Sequence, residues 1–391
     1  MPDPIPTPVP AAPSKWSWLA KLLPTNWRAF VAWGVTLACV SVGNCIRRQN
    51  GEPPLPLPEP PLPVFPAEPF GWRPPTEAER QQALAVLTFP RWETTDAAAA
   101  EPAGPDDDAP VWRLYAKVTG RPLPAFDQGP VGCCVAFGTS AAAEFSLCAR
   151  IHAHRGPPQQ FAPTIREAVY GGSRVNADPR NPIRGGDGST GERAARWLRQ
   201  GTGGLLPEGT YGAKPVVGYD VSRCRAWGDR GVPAELIPAC RDNPCETTLV
   251  TTAAAARTAL QQGYALFVCS DVGFGDLGPG PITRDADGFL KARGVWPHCM
   301  CIAGYQGGPR RGFLIVNSWG DRWVAGPTGR FAHIPPGSFW ADFATVDRML
   351  KQGDSYAVAG VEGFRRRRID PGDWIVFRST PTRLDHAFLA P

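Results

Sequence analysis

The sequence contains 11 cysteines and five histidines, but none of them are spaced like the ligands of a metal site. No two cysteines are separated as in a Cys-x-x-Cys pair, and Cys299-Met-Cys301 alone is too little for a zinc site. Most of the cysteines lie in apolar runs, where a cysteine usually serves as a small buried hydrophobic residue. We therefore expect no metal, no cofactor and no dense disulfide framework. One local disulfide among Cys224, Cys240 and Cys245 is the alternative, because these three lie in a polar stretch.

Lysine is scarce as well, supplying only six of the 41 basic residues. The formal net charge of +5 is small for a chain of 391 residues, and the basic side chains are scattered. No zinc-finger or base-stacking pattern accompanies them, so we expect no nucleic-acid partner. Such a mild positive charge neither requires nor excludes an acidic partner, and it leaves the oligomeric state open.

Only one long hydrophobic run is present. Positions 29–46 (AFVAWGVTLACVSVGNCI) are 18 residues without a formal charge, flanked by Arg28 before them and by Arg47 and Arg48 after them. This length is just sufficient to cross a bilayer, so we predict a transmembrane or signal-anchor helix after a polar segment over 1–28. One alternative is a cleaved signal peptide, but no clean cleavage site follows the apolar run. The other alternative is a buried helix of a soluble protein. The basic flanks leave the orientation open.

Proline and composition divide the rest of the chain. Eleven prolines in residues 51–75 predict an extended spacer, and we assign 47–110 to a Pro-rich linker with a short helix over Thr76–Leu87. Residues 111–364 have the composition of one globular domain. A tail over 365–391 opens with four arginines, for which a solvated basic turn is the first interpretation and a contact to an acidic surface the alternative.

The stretch DQGPVGCCVAF, from Asp127 to Phe137, places two adjacent cysteines before a helical pattern. A helix N-terminus stabilises a thiolate through its free N–H groups and its dipole. Cys133 and Cys134 point about 100° apart around such a helix, so only one of them can face a given groove. The pattern alone does not decide between the two. It predicts a helix that begins close to Cys134 and buries one stripe, formed by Phe137, Ala141, Phe145 and Cys148.

The segment Gln128-Gly-x-x-Gly-x-Cys134-x-Ala136-Phe137 resembles the active-site segment of papain-like cysteine peptidases. The resemblance implies that Cys134 is the nucleophile and that the Gln128 side chain donates to the oxyanion. It also implies that Cys133 occupies the position of a small residue just before the nucleophile.

A nucleophilic thiol needs a base, and the base needs a group that orients it. His298 directly precedes a buried strand-like run, Cys299–Tyr305, which resembles the histidine strand of the same family. Nineteen residues later, Asn317-Ser-Trp-Gly resembles the family's asparagine motif, which implies that Asn317 orients the imidazole and Trp319 shields it. Each motif alone has an ordinary structural explanation, but their order together with the upstream glutamine is hard to obtain by chance.

The resemblance also implies a substrate-binding edge in a Gly-rich stretch that leads into a helix. Gly188 and Ser189 are expected to pair with an extended substrate, and Thr190 to lie near the pocket for the second residue before the scissile bond. Trp296 and Pro297 precede the histidine and are expected to line the same pocket. The alternative for the Gly-rich stretch is a simple loop before a helix.

Together these features imply an α+β, two-subdomain papain-like fold, with the cysteine in a helical subdomain and the histidine and asparagine in a β-barrel-like one. The implied function is a cysteine-type endopeptidase that acts on peptides or proteins through a thioester. The alternative is a membrane-tethered or virion-associated binding protein with little turnover. We expect a membrane-anchored protein with this domain outside the cytoplasm, or else a secreted or virion-associated one. The substrate, and whether 47–110 is a cleaved prosegment, stay open.

Overall fold

The structure is a computed structural model, and it describes the chain over stated ranges. These are 70–76, 89–100, 104, 106–154, 157, 161–276, 280–331, 333–367 and 369, with isolated positions 38, 40, 41, 44, 47, 48, 53 and 55. The chain divides into two compact units: Met1–Pro66 with Gly278–Gly280, and Ala67–Leu277 with Pro281–Pro391.

The first unit is described at few positions. Those at 38, 40, 41, 44, 47 and 48 are helical, and the Asn44 side chain is bonded to the Leu55 backbone at 3.1 and 2.6 Å. The predicted segment 1–28 and most of the predicted membrane helix 29–46 lie outside the described residues, so both stay predictions. Among the residues that the structure describes, no helix has the length and apolar character needed to cross a membrane.

The second unit is built on a six-stranded antiparallel sheet in the order β3-β10-β4-β6-β7-β9. Its central strand, β6, is buried from position 298 to position 306 because the apolar run is covered on both faces. The described strands form one continuous hydrogen-bonded ladder from β3 to β9. The strands are β1 (Gly209–Tyr211), β2 (Lys214–Val216), β3 (Glu246–Leu249), β4 (Leu266–Val272), β5 (Ile282–Thr283), β6 (Val295–Gln306), β7 (Gly312–Val316), β8 (Val324–Ala325), β9 (Ser338–Asp342) and β10 (Tyr356–Ala359).

Helices cover the sheet and extend beyond it. Three of them begin at side-chain caps: Thr190 accepts from the Arg193 N–H at 3.1 Å, Asp220 from the Arg223 N–H at 2.6 Å, and Thr252 from the Ala255 N–H at 3.1 Å. In the described ranges the helices are α1 (Arg113–Thr119), α2 (Cys134–Ala153), α3 (Arg166–Gly171), α4 (Gly191–Leu198), α5 (Val221–Arg230), α6 (Ile237–Arg241), α7 (Ala253–Gln261) and α8 (Phe343–Leu350). The mixture of helices with an antiparallel sheet confirms the predicted α+β class.

The central helix, α2, begins at Cys134, but it is buried on nearly every side, whereas the sequence predicted one buried stripe. Small side chains allow this. A Cβ at Gly138 would lie 2.9 Å from Cys299 Sγ and 3.1 Å from the Met300 carbonyl oxygen, so the glycine lets α2 approach β6 closely. A buried ion pair between Glu144 and Arg166, 2.5 Å apart, joins α2 to α3.

Parts of the predicted linker and tail pack against the domain. Residues 70–76 contact the Gly-rich loop, and residues 89–100 contact β3 and the segment near Phe364. In the tail, Arg367 is buried and bonded to Glu362, while its neighbours Arg365 and Arg366 are exposed. The solvated turn predicted there is therefore wrong at Arg367. The predicted helix Thr76–Leu87 lies outside the described residues after its first position.

Candidate active site

The two adjacent cysteines point into different surroundings. Cys134 is the first residue of α2, and its Sγ accepts a hydrogen bond from the Cys299 backbone N–H at 3.3 Å. The Cys133 Sγ instead lies 3.4 Å from the Tyr219 hydroxyl, which donates to the Gln128 carbonyl oxygen. Both thiols are fully buried. Only Cys134 therefore meets the strand that carries His298.

The orientation of the His298 ring follows from its partners. Asn317 Oδ1 accepts the backbone N–H of Ser318 at 2.7 Å, so this atom is an acceptor. His298 Nε2 lies 2.7 Å from the same oxygen and must therefore carry the proton. Nδ1, which has no hydrogen-bond partner among the described residues, is left as the basic nitrogen.

The site is shielded from water, and this disfavours charge on both groups. Burial lowers the pKa of His298 to about 4, against the Asn317 hydrogen bond, which raises it. Burial also raises the pKa of the Cys134 thiol well above its ordinary value, although the backbone N–H groups of Cys299 and Gly71 act in the opposite direction. The Trp319 ring covers the imidazole with its centroid 4.5 Å away. In this conformation the thiol and the imidazole are therefore both neutral.

Gln128 lies directly before the nucleophile loop and is 1% exposed. Its Oε1 accepts from the Ser318 hydroxyl at 2.7 Å, and its Nε2 donates to the Val131 carbonyl oxygen at 2.9 Å. The backbone also joins these segments, since the Gln128 N–H donates to the Ser318 carbonyl oxygen at 2.9 Å. The glutamine amide is thus held in one orientation, with its nitrogen toward the turn before Cys134.

A short segment of the chain itself, Phe70–Arg73, lies across this site; we call it the strap. Trp72 pairs with Ser189 in a parallel bridge, with Ser189 N–H to the Gly71 carbonyl oxygen and Arg73 N–H to the Ser189 carbonyl oxygen, both 2.8 Å. The Phe70 ring lies 6.1 Å from the His298 ring, measured between centroids. The strap therefore covers the histidine and occupies the edge at which the resemblance implies a substrate.

The predicted substrate-binding residues divide into two groups. Ser189 and Pro297 contact the strap directly, since the Pro297 carbonyl oxygen accepts the Trp72 N–H at 3.3 Å. Gly188 also lies against the strap, since a Cβ there would meet the Gly71 carbonyl oxygen at 2.9 Å, but its polar groups bond within the domain. Its N–H donates to the Tyr170 hydroxyl at 3.1 Å, and its carbonyl oxygen accepts from Arg174 Nη1 at 2.5 Å.

The three remaining residues of that prediction have different surroundings. The Thr190 hydroxyl caps α4. The Trp296 ring stacks 6.4 Å from Phe70 and donates through Nε1 to the Gly275 carbonyl oxygen at 3.1 Å. Trp319 lies between Trp296 and His298, with centroids 5.1 and 4.5 Å away. These aromatic rings form a wall beside the histidine.

Three features of the site were missed by sequence reasoning: the strap, Ser318 and Asp354. The signal for the strap was weak: Phe70-Gly-Trp-Arg is an aromatic interruption in a proline-rich stretch. Asp354 lies in an unremarkable turn before β10, and nothing local marks it. Its place at the site follows from the tertiary structure, in which Trp72 Nε1 donates to Asp354 Oδ2 at 2.8 Å.

No family model matches the sequence, and no curated protein matches it. Xylellain, a cysteine protease from Xylella fastidiosa, is a similar solved structure at 18% identity and a TM-score of 0.46, covering 78% of this chain and 100% of that one.

Two further solved structures are similar. The ragweed pollen allergen Amb a 11, a cysteine protease in its proform, has 17% identity, 72% coverage of both chains and a TM-score of 0.43. Digestive procathepsin L 3 of Tenebrio molitor has 12% identity, coverage of 88% and 97%, and a TM-score of 0.40.

Proposed function

We propose that this chain is a papain-like cysteine peptidase that hydrolyses peptide bonds. The observation that carries the proposal is the meeting of a helix N-terminal thiol, Cys134, with the strand of a histidine whose Nε2 is bonded to an asparagine. That hydrogen bond leaves Nδ1 of His298 as the base. The buried Trp319 ring protects the histidine–asparagine hydrogen bond from water.

The proposed reaction begins when Nδ1 of His298 removes the Cys134 thiol proton. The thiolate attacks a peptide carbonyl, and the Gln128 amide with the Cys134 backbone N–H stabilises the oxyanion. The imidazolium then protonates the leaving amine, and a thioester forms. Water, deprotonated by the same imidazole, hydrolyses the thioester and restores the thiol.

In our proposal the conformation described here is a latent one. The strap lies over Cys134 and His298, and the burial that disfavours thiolate and imidazolium includes this cover. Its parallel pairing with Ser189 excludes a substrate from the same edge. Activity therefore requires the strap to leave the cleft.

The test separates the two adjacent cysteines. We expect Cys134→Ala to abolish both hydrolysis of a denatured protein substrate and labelling by a thiol-directed epoxide, because the nucleophile is removed. Cys133→Ala should keep most of both activities, since its thiol packs against Tyr219. The variants are measured in the wild-type chain and in a Gly71→Ala chain, in which the strap is displaced.

Two results would contradict the proposal. Equal loss from both cysteine variants would overturn the choice of Cys134. If neither chain hydrolysed the substrate or reacted with the epoxide at pH 6 to 7, the protein would be a binder of peptides, the alternative class that the sequence left open.

A further inference from the structure

A buried carboxyl group forms the floor of the pocket that holds the Trp72 side chain. Asp354 follows α8 and is 1% exposed. Its Oδ2 accepts the Gly191 backbone N–H, at the start of α4, at 2.7 Å. The Glu192 backbone and the Tyr356 hydroxyl are further hydrogen-bond partners. These protein donors approach the carboxyl group from α4 and from β10.

The remaining donor comes from the strap. The Trp72 indole Nε1 donates to Asp354 Oδ2 at 2.8 Å, and Trp72 is only 5% exposed. Its backbone is held on both sides, by the pairing with Ser189 and by the Pro297 carbonyl oxygen. The pocket is therefore shaped around a planar side chain with an N–H at its far end.

Departure of the strap changes the set of hydrogen-bond donors around Asp354. The helix and strand donors to Asp354 belong to the domain and stay, whereas the indole donor leaves with Trp72. A buried acceptor that has lost a hydrogen-bond donor disfavours any occupant of the pocket that cannot supply a new donor. A site built to bind an N–H group rejects isosteric groups that lack one far more strongly than an apolar pocket rejects a change in size.

We propose that this pocket selects tryptophan, a planar side chain with an N–H donor, at the substrate residue that pairs with Ser189, and that Asp354 is the specificity-determining residue. The inference rests on the proposed peptidase function and names its substrate class. A substrate strand that pairs with Ser189 places one side chain where Trp72 lies, over the Asp354 carboxylate.

The experiment uses the full chain and dipeptidyl acyloxymethyl ketones, which alkylate a nucleophilic thiolate and release a carboxylate. The probes differ only in the residue two positions from the reactive group: tryptophan, 2-naphthylalanine, phenylalanine or arginine. Rate constants for labelling of Cys134 are read by intact-protein and peptide mass spectrometry. Strap release is common to all probes, so ratios between probes report the pocket alone.

We expect the tryptophan probe to react at least tenfold faster than the naphthylalanine probe, which has nearly the same shape but no N–H. Asp354→Leu is close in size but removes Oδ2, the atom that accepts both the Gly191 N–H and the Trp72 indole N–H. The ratio should then fall to about one. Glu192→Gln is the matched control, since it removes a nearby carboxylate outside the pocket floor, and it should leave the ratio unchanged.

A second variant keeps the test independent of how well Asp354→Leu folds. Trp72→Phe removes only the resident indole, so labelling should accelerate for every probe while the tryptophan preference persists. A ratio of about one in the wild type and in Trp72→Phe would overturn the inference, as would an arginine probe ten times faster than the tryptophan probe. Absence of labelling at Cys134 by every probe would instead count against the proposed peptidase function.

Discussion

At the scale of single residues, the two groups proposed for catalysis are held neutral by their surroundings. The Asn317 side-chain Oδ1 accepts two hydrogen bonds, one from the Ser318 backbone N–H and one from His298 Nε2, and this fixes the histidine tautomer. Burial then opposes protonation of the second ring nitrogen. An imidazole poised in this way becomes a useful base only when water or substrate replaces the cover above it.

His298 should make stability depend on pH. Its pKa is lowered from 6.5 to about 4 in the folded chain, so between these values the unfolded state binds more protons. Stability is therefore fully present above pH 6.5 and is lost as the pH falls toward 4, by roughly 3 kcal/mol at 1.36 kcal/mol for each pKa unit. Chemical denaturation at pH 7.5 and 4.5 measures this loss.

The comparison variant is His298→Asn, which lacks the titrating ring. The difference in unfolding free energy between wild type and variant should shrink as the pH falls through this window. An unchanged difference would mean that the imidazole titrates normally in the folded chain and that the cleft is open to water.

At the scale of structural elements, the strap depends on a close approach of backbone to backbone. A Cβ at Gly71 would lie 1.8 Å from the Gly132 carbonyl oxygen, so no side chain fits where the strap crosses the loop before Cys134. Arg73 holds the far end, with Nε donating to the Asp187 carbonyl oxygen at 2.9 Å and Nη2 to that of Gly185 at 2.5 Å. The strap is thus held by hydrogen bonds at Arg73, and at Gly71 it can pass close to the loop because glycine has no side chain.

Gly71→Ala should therefore release the strap and activate the protein. We expect at least a tenfold rise in the rate of epoxide labelling at Cys134, because the added methyl group cannot be accommodated without moving the segment. Gly209→Ala is the matched control: its Cβ would meet only the Tyr211 side chain at 3.7 Å or more. A labelling rate that is the same in both variants and in the wild type would show that the strap does not limit access.

At the scale of the whole molecule, the second unit is held together by its apolar core and by long-range pairing of strands. The nine cysteines that the structure describes are all free and buried, and they lie in helices, in the sheet and, for Cys133 and Cys245, in loops. The local disulfide considered as an alternative for Cys224, Cys240 and Cys245 does not form among these residues. Apart from Cys134, the described cysteines therefore serve as small buried side chains.

A reducing agent should consequently leave the main thermal transition where it is. We expect the Tm of the full chain to change by no more than about 2 °C when dithiothreitol is added. A concentration on the order of 5 to 10 mM reduces ordinary disulfides. Differential scanning calorimetry measures this, and titration of thiols before and after unfolding gives the independent count. A fall of roughly 10 °C under reduction would indicate a stabilising disulfide.

The sequence predicted those parts of the site that local patterns encode. Glycine and proline before an apolar helical run indicate where α2 begins, and the run after His298 indicates a buried strand. Periodicity could not show that α2 is covered on all sides, because that depends on what packs against it. The linker prediction over 47–110 rests on composition, and composition does not report that four of its residues, Phe70–Arg73, lie across a cleft.

By itself, the sequence determined the α+β class, the candidate residues Cys134, His298, Asn317 and Gln128, and the order in which they occur. These follow from motifs a few residues long, in which side-chain chemistry and backbone preference act locally. Only the tertiary structure decided which thiol meets the histidine strand, what occupies the cleft and what lies beneath it. Trp72 and Asp354 are 282 residues apart, and no local preference of either residue encodes their hydrogen bond. It exists because folding buries a carboxyl group that must find its donors wherever the chain brings them.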